Sequence, residues 1–241
     1  MAAGLLMAEV VGAMTPQDDV LFAAARAGNV QLYREMIKAG ANVSAVDATG
    51  NTALVFAALS EHDDMVREVL THAVDLDGMG SLGITALGIA TAHGDLLTVN
   101  RLLKAGANPD IADANGVTPL ASALRLGRTA LARRLLDSGA DPRIADRNGV
   151  TPLHIVAEKG NADLAVVLLG DDANPNVLDR EKRSPLFLAF LNHNREVAEV
   201  LVRRQRTDLR LVSQGYPPAF WAQQMGFQDI ARSITARLRK G

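Results

Sequence analysis

One period of 33 residues runs through most of the chain and constrains its fold more than any other feature. Equivalent positions carry Asp19, Thr52, Thr85, Thr118, Thr151, Ser184 and Pro217, with no insertion between them. A fixed period of this length is typical of stacked repeats, because a unit so short buries its apolar face only against its neighbours. The period therefore predicts a single array of seven repeats, which we number from the N-terminus.

Repeat five shows the local pattern most clearly. Residues 146–149 form a predicted turn, Thr151 suits an N-cap, and Pro152 suits the first helical position, where a missing N–H is harmless. Gly160 can end this helix in the left-handed conformation. Apolar residues at helical spacing in 164–169 then predict a second helix.

Repeats one and six depart from this pattern. In repeat one, which lacks the Thr-Pro start, Asp18 and Asp19 are predicted to cap the first helix. Repeat six carries Lys182, His193 and Gln205 where glycine is usual. Because a left-handed conformation costs a non-glycine residue about 1 kcal/mol or more, we expect altered loop geometry in repeat six.

The segment Thr151-Pro-Leu-His-Ile-Val-Ala and its in-phase copies resemble the signature of the ankyrin repeat family. The resemblance implies an all-α solenoid of paired antiparallel helices with β-hairpin-like loops, capped at both ends. It also implies that the loops and the inner helices line a concave surface. We therefore expect an N-terminal apolar segment at residues 1–17 and one ankyrin-repeat domain at 18–241, with repeat seven as the C-terminal cap.

Two interpretations of the N-terminal segment stay open. The small residues at 11–13 suit cleavage of a secretion signal, but no Lys or Arg precedes the apolar run and Glu9 interrupts it. The alternative is a helix that covers the apolar side of repeat one. The run is too short for a membrane span, which needs about 20 apolar residues. The absence of cysteine is compatible with either a reducing or an oxidising compartment. A cytoplasmic location is slightly favoured, and a periplasmic or secreted one follows if residues 1–13 belong to a signal peptide.

Two motifs suggest chemistry but lack its full pattern. Residues 78–83 spell G-x-G-x-x-G, yet no apolar strand precedes them, and Leu103 stands near the position of the ribose-binding acid. A nucleotide-binding enzyme that uses Gly78 to Gly83 is therefore a remote alternative to a simple glycine-rich turn. Asp75 and Asp77 begin like a calcium loop, but Ala86 replaces its bidentate glutamate.

The histidines and the basic runs also lack the pattern of a site. No two histidines lie at i and i+4, none has the carboxylate of a zinc pattern, and His154 is expected to bond locally to turn backbone. The runs 203–206 and 237–240 are basic but contain no aromatic residue for base stacking, and the net charge is only −2. The sequence thus predicts no catalytic residue, metal, cofactor or nucleic-acid partner.

Positions that face the concave surface in the ankyrin architecture change from apolar to charged along the chain. Exposed apolar residues without a core role often mark protein contacts, and Arg and Tyr are enriched in binding hot spots. The alternative is that several of the leucines are half-buried between adjacent loops. The residues predicted to bind a partner are Leu59, Leu82, Ile84, Arg125, Leu126, Arg147, Asn148, Glu158, Lys159, Arg180, Arg183 and Tyr216.

We therefore expect a non-catalytic protein–protein interaction module, monomeric outside its complex, with one partner protein in the concave groove. Apolar contacts from repeats two to four supply burial, and Arg147, Arg180 and Arg183 select an acidic patch on that partner. The alternative is an inhibitor or immunity-type protein that occludes a partner enzyme. That alternative gains weight if residues 1–13 export the chain.

Overall fold

The computed structural model describes residues 14–81 and 83–240. These residues form 14 α-helices in seven consecutive pairs, one pair for each predicted repeat, so the predicted all-α repeat architecture is confirmed. None of the helices in these two ranges combines the length and the apolar character of a membrane span. The chain divides into two compact units, Met1–Ala114 and Asn115–Gly241. The predicted cap or secretion signal at residues 1–13 lies outside the described residues.

The first unit contains three helix pairs arranged in two layers. Its helices are α1 (Pro16–Ala27), α2 (Val30–Lys38), α3 (Ala53–Leu59), α4 (Asp63–Val69), α5 (Ala86–His93) and α6 (Leu96–Ala105). The first helices α1, α3 and α5 pack in one layer, and the second helices α2, α4 and α6 pack in the other. Leu21, Leu54 and Leu87 occupy equivalent positions on the first helices and are fully buried, which shows the repeating core that the period predicts.

The second unit contains four helix pairs. Its helices are α7 (Pro119–Arg125), α8 (Thr129–Asp137), α9 (Pro152–Lys159), α10 (Ala162–Gly170), α11 (Pro185–Leu191), α12 (Arg195–Arg203), α13 (Pro218–Gln224) and α14 (Gln228–Lys240). The first helices α7, α9, α11 and α13 pack side by side, and α10, α12 and α14 form the layer behind them. Leu120, Leu153 and Leu186 continue the series of buried leucines.

The predicted helix starts are confirmed in repeats two to six. In each, the side-chain oxygen of the cap residue accepts the backbone N–H three residues further on, which satisfies a donor that the helix leaves free. The cap residues are Thr52, Thr85, Thr118, Thr151 and Ser184. The Thr-Pro or Ser-Pro pair in repeats four to six therefore sets where each first helix begins.

Repeat one corrects the prediction for its helix start. The N-cap of α1 is Thr15 rather than Asp18 or Asp19, Pro16 occupies the first helical position, and Thr15 forms a capping box with Asp18. Asp18 is buried, and its second carboxylate oxygen accepts the Asn42 N–H at 2.7 Å. The prediction was wrong because the in-phase comparison placed the start one turn too late, whereas a Thr-Pro pair occurs at residues 15–16.

Repeat six keeps glycine-like geometry at two of its three unusual positions. Lys182 and His193 adopt left-handed φ angles of 60° and 56°, so the expected alteration is wrong for these residues. The geometry does differ after α12, where Arg204 is extended with φ −69° and ψ 127°. The Arg237 guanidinium donates to the carbonyl groups of Arg204 and Gln205, both at 2.9 Å. This arginine thus satisfies carbonyl groups at a helix end that lacks a left-handed cap.

Candidate functional site

A buried aspartate holds each of two adjacent loop tips in the second unit. Asp146 Oδ1 accepts the N–H groups two and four residues further on, at 2.7 and 3.0 Å. Asp179 Oδ1 accepts the equivalent pair, both at 2.9 Å. These hydrogen bonds fix the backbone of the turn. The next residues, Arg147 and Arg180, consequently lie at defined positions on the exposed loop tips.

Two of the arginines predicted to bind a partner form ion pairs with these aspartates. Arg125 forms an ion pair with Asp146, and Arg183 pairs with Asp179 at 2.7 Å and with Glu181 at 3.1 Å. Burial alone would raise the pKa of Asp146, but the backbone hydrogen bonds and the Arg125 guanidinium outweigh it and hold that pKa below its ordinary value. Arg125 and Arg183 therefore have a role in holding the loops, and their contact with a partner stays a prediction.

Arg147 and Arg180 differ from these two arginines. Both are exposed, and neither guanidinium has a hydrogen-bond or ion-pair partner among the residues that the structure describes. Their backbone groups tie successive loops together, since the Arg147 N–H donates to the Asn115 carbonyl at 3.1 Å and the Arg180 N–H to the Asn148 carbonyl at 2.8 Å. The result is two free cations on adjacent loop tips whose backbones are held in register.

An aromatic cluster follows these cations at the next loop tip. Tyr216 is 48% exposed and stacks on Phe220, with ring centroids 4.1 Å apart and planes inclined by 15°. Trp221 meets both rings edge-on and donates its indole N–H to the Ser213 carbonyl at 2.8 Å. We call Tyr216, Phe220 and Trp221 the aromatic ledge. Tyr216 was predicted to bind a partner, and the structure places it on this ledge.

Three other predicted residues of the second unit lie at the ends of its first helices, whereas Asn148 lies in the loop before α9. Leu126 follows α7 and is 53% exposed. Glu158 and Lys159 end α9 and are exposed. Lys182 is not among the residues predicted to bind a partner, but it is exposed, and its ammonium group has no side-chain partner within the described part of the chain. In the sequence, Lys182 stands out as a charged residue at a position where glycine is usual.

In the first unit, Leu59 ends α3 and is 38% exposed, Ile84 is half-buried, and Leu82 lies outside the described residues. The glycine-rich loop 78–83 beside them has a packing explanation. A Cβ at Gly80 would lie 2.5 Å from Asn51 Oδ1, the atom that accepts the Ser81 N–H at 2.8 Å. The absence of a side chain at Gly80 therefore allows the Asn51 side chain to approach closely. This packing accounts for the glycine without a bound phosphate.

His154 is part of the scaffold, as predicted. The side chain is fully buried, and its Nδ1 accepts the Thr151 N–H at 3.2 Å. Because that backbone group can only donate, the proton lies on Nε2, which donates to the Arg183 carbonyl at 3.1 Å. Burial lowers the pKa of His154, so the neutral ring is favoured. The histidine thus links its own turn to the loop of the next repeat.

We expect His154→Ala, the residue of repeat four at this position, to lower the free energy of unfolding by about 2 kcal/mol at pH 7.5, since two hydrogen bonds of about 1 kcal/mol each are lost. The lowered pKa means that the unfolded chain binds the proton more readily, so wild-type stability falls as the pH drops below about 6.5. The difference between wild type and variant should therefore shrink between pH 7.5 and 5.5 in urea unfolding. A constant difference would contradict the assignment of a buried neutral ring.

Comparison with known proteins agrees with the helical pairs. A family model described as ankyrin repeats (3 copies) matches residues 5–80, 21–113, 87–179, 134–212 and 153–237. A search of curated proteins finds no match. The successive matches overlap and together span residues 5–237, in agreement with the period of the sequence and with the seven helix pairs. The chain therefore belongs to the ankyrin repeat family.

Proposed function

We propose that the second unit is a non-catalytic binding module that holds one partner protein on its loop tips and first helices. Ankyrin repeats are typically protein–protein interaction modules and are typically non-catalytic. The observation that carries the proposal is the pair of free arginines, Arg147 and Arg180, beside the aromatic ledge. We call this set, together with Asn148, Lys182 and Gln214, the loop-tip surface.

The composition of this surface suits a protein contact. Arg and Tyr are among the residues most enriched in binding hot spots, and Tyr216 offers a half-exposed ring already held by stacking. Because the ring has little freedom left to lose, its burial by a partner costs little conformational entropy. The apolar Leu126 extends the proposed contact to the end of α7, and Leu59 and Ile84 stay proposed contacts of the first unit.

The charges favour an acidic partner. Arg147, Lys159, Arg180 and Lys182 are exposed cations. Glu158 is also exposed and has no ion-pair partner among the residues that the structure describes. Complementary charge at an interface speeds the encounter and disfavours partners of the wrong sign. The proposed partner therefore presents carboxylates to the loop tips.

The test is a double charge reversal, Arg147→Glu with Arg180→Glu, in the full chain. We expect capture of the native partner from its source cells, quantified by mass spectrometry, to fall by about tenfold or more. The matched control reverses Arg133 and Arg232, which are exposed on the second helices α8 and α14. If the loop-tip variant and the control retain the same partner equally well, the loop-tip surface is not the binding site.

A further inference from the structure

We propose that the loop-tip surface takes an acidic segment in the polyproline II conformation, with carboxylates three residues apart and a proline-rich end on the aromatic ledge. This inference rests on the proposed function and names the chemistry of the partner segment. Two observations carry it, the distribution of free charge and the aromatic ledge, together with the loop-tip spacing that helix packing implies.

The loop tips form a ladder with one step per repeat. The Arg147 N–H donates to the Asn115 carbonyl, and the Arg180 N–H donates to the equivalent Asn148 carbonyl. Between repeats six and seven the contact shifts by one residue, since the Gln214 N–H donates to the Lys182 carbonyl at 3.4 Å. Neighbouring helices pack at about 8–10 Å, so Arg147 and Arg180, which are equivalent in adjacent repeats, are spaced by about that distance along the ladder. A bound segment must place its carboxylates at the same interval.

This interval discriminates between peptide conformations. In polyproline II, which has three residues per turn and a rise of about 3.1 Å, side chains i and i+3 lie on the same face about 9 Å apart. In a β-strand, side chains on one face are separated by two or four residues, which is about 7 or 13 Å. The interval expected from helix packing therefore suits polyproline II better than a strand.

The free charges lie on the two arginines of this ladder. The neighbouring anions are already engaged, since Asp146 pairs with Arg125 and Glu181 with Arg183. Lys182 adds a third exposed cation on the same loop as Arg180. A segment with two carboxylates therefore meets two free guanidinium groups and no competing free carboxylate on those loop tips.

The aromatic ledge lies at the next loop tip, where the ladder continues past Arg180. Stacked and perpendicular aromatic rings form the type of surface against which proline-rich segments pack in polyproline II recognition. The Tyr216 and Phe220 rings are stacked, and the indole of Trp221 is fixed by its hydrogen bond to Ser213. A proline-rich end of the bound segment can therefore pack on the aromatic ledge, one repeat beyond the second carboxylate.

The test uses nine-residue synthetic peptides that contain two glutamates and seven prolines. In one peptide the glutamates are three residues apart and precede a run of five prolines, and the reversed sequence covers the opposite chain direction. Peptides of the same composition with glutamates two or four residues apart are the controls. Trp221 is the one tryptophan in the sequence, so its fluorescence reports occupation of the ledge directly.

We expect one of the two three-spaced peptides to bind at least about tenfold more tightly than the controls and to shift the tryptophan emission. Arg147→Glu, Arg180→Glu and Tyr216→Ala should each reduce that affinity by about tenfold, and Arg133→Glu should not, with circular dichroism confirming that each variant is folded. Equal affinity for all spacings, or no binding, overturns the inference. If the double charge reversal still abolishes capture of the native partner, the proposed function survives that failure. If capture persists, the proposed function fails as well.

Discussion

Gly116→Ala is expected to destabilise the second unit by about 2–4 kcal/mol, far more than a glycine-to-alanine change on an exposed loop ordinarily does. Gly116 has φ +79°, and a Cβ there would lie 2.9 Å from the Arg147 backbone nitrogen. The substitution therefore combines left-handed strain with a clash against backbone, which cannot rotate away as a side chain can. The clash pushes apart the loops that the hydrogen bond from Arg147 to Asn115 joins.

Gly215 supplies the matched control, because it is equivalent in the repeat, has φ +83°, and would carry its Cβ into open space. Gly215→Ala should cost only the left-handed strain of about 1 kcal/mol. Urea unfolding measures both free energies, and hydrogen exchange should show lost protection of the Arg147 amide in the first variant alone. Equal costs for the two variants would contradict the role of Gly116 in loop stacking.

The helix pairs were predictable because their determinants are local. A cap residue, a proline at the first helical position and a glycine after the helix act within a few residues, and seven in-phase copies remove ambiguity. The same comparison failed at Asp18, because repeat one departs from the phase and uses Thr15 instead. It also failed at Lys182 and His193, since the surrounding loop holds these residues in the left-handed conformation despite its cost.

The candidate site was less predictable because the state of an arginine depends on its partner. Arg125 and Asp146 are 21 residues apart, and only the fold brings them together. Asp179 and Arg183 are only four residues apart, so their opposite charges could have indicated an ion pair from the sequence alone. For the aromatic ledge, the sequence at 216–221 indicated a terminal cap, and the exposed stack appears only once α13 places Phe220 against Tyr216.

Asp146→Ala is expected to cost about 3 kcal/mol or more at pH 7, the second large effect. The change removes two backbone hydrogen bonds and the partner of the half-buried Arg125 guanidinium. Each backbone bond contributes about 1 kcal/mol, and leaving a charged group partly buried without its partner adds to the loss. Asp146→Asn retains an oxygen that can accept the two N–H groups but loses the charge, so it should cost less than the alanine variant.

The dependence on pH separates the charge from the hydrogen bonds. Because the folded-state pKa of Asp146 is lowered, the stability from its ionised form is fully present above the ordinary Asp value of about 3.9 and is lost as the pH falls through the folded-state pKa. The gap in unfolding free energy between wild type and Asp146→Asn should therefore narrow from pH 7 to pH 3, with Asp163→Asn, exposed in the first turn of α10, as the control. If the gap stays the same at both pH values, the ion pair with Arg125 does not stabilise the loop, and Arg125 is free to contact a partner as first predicted.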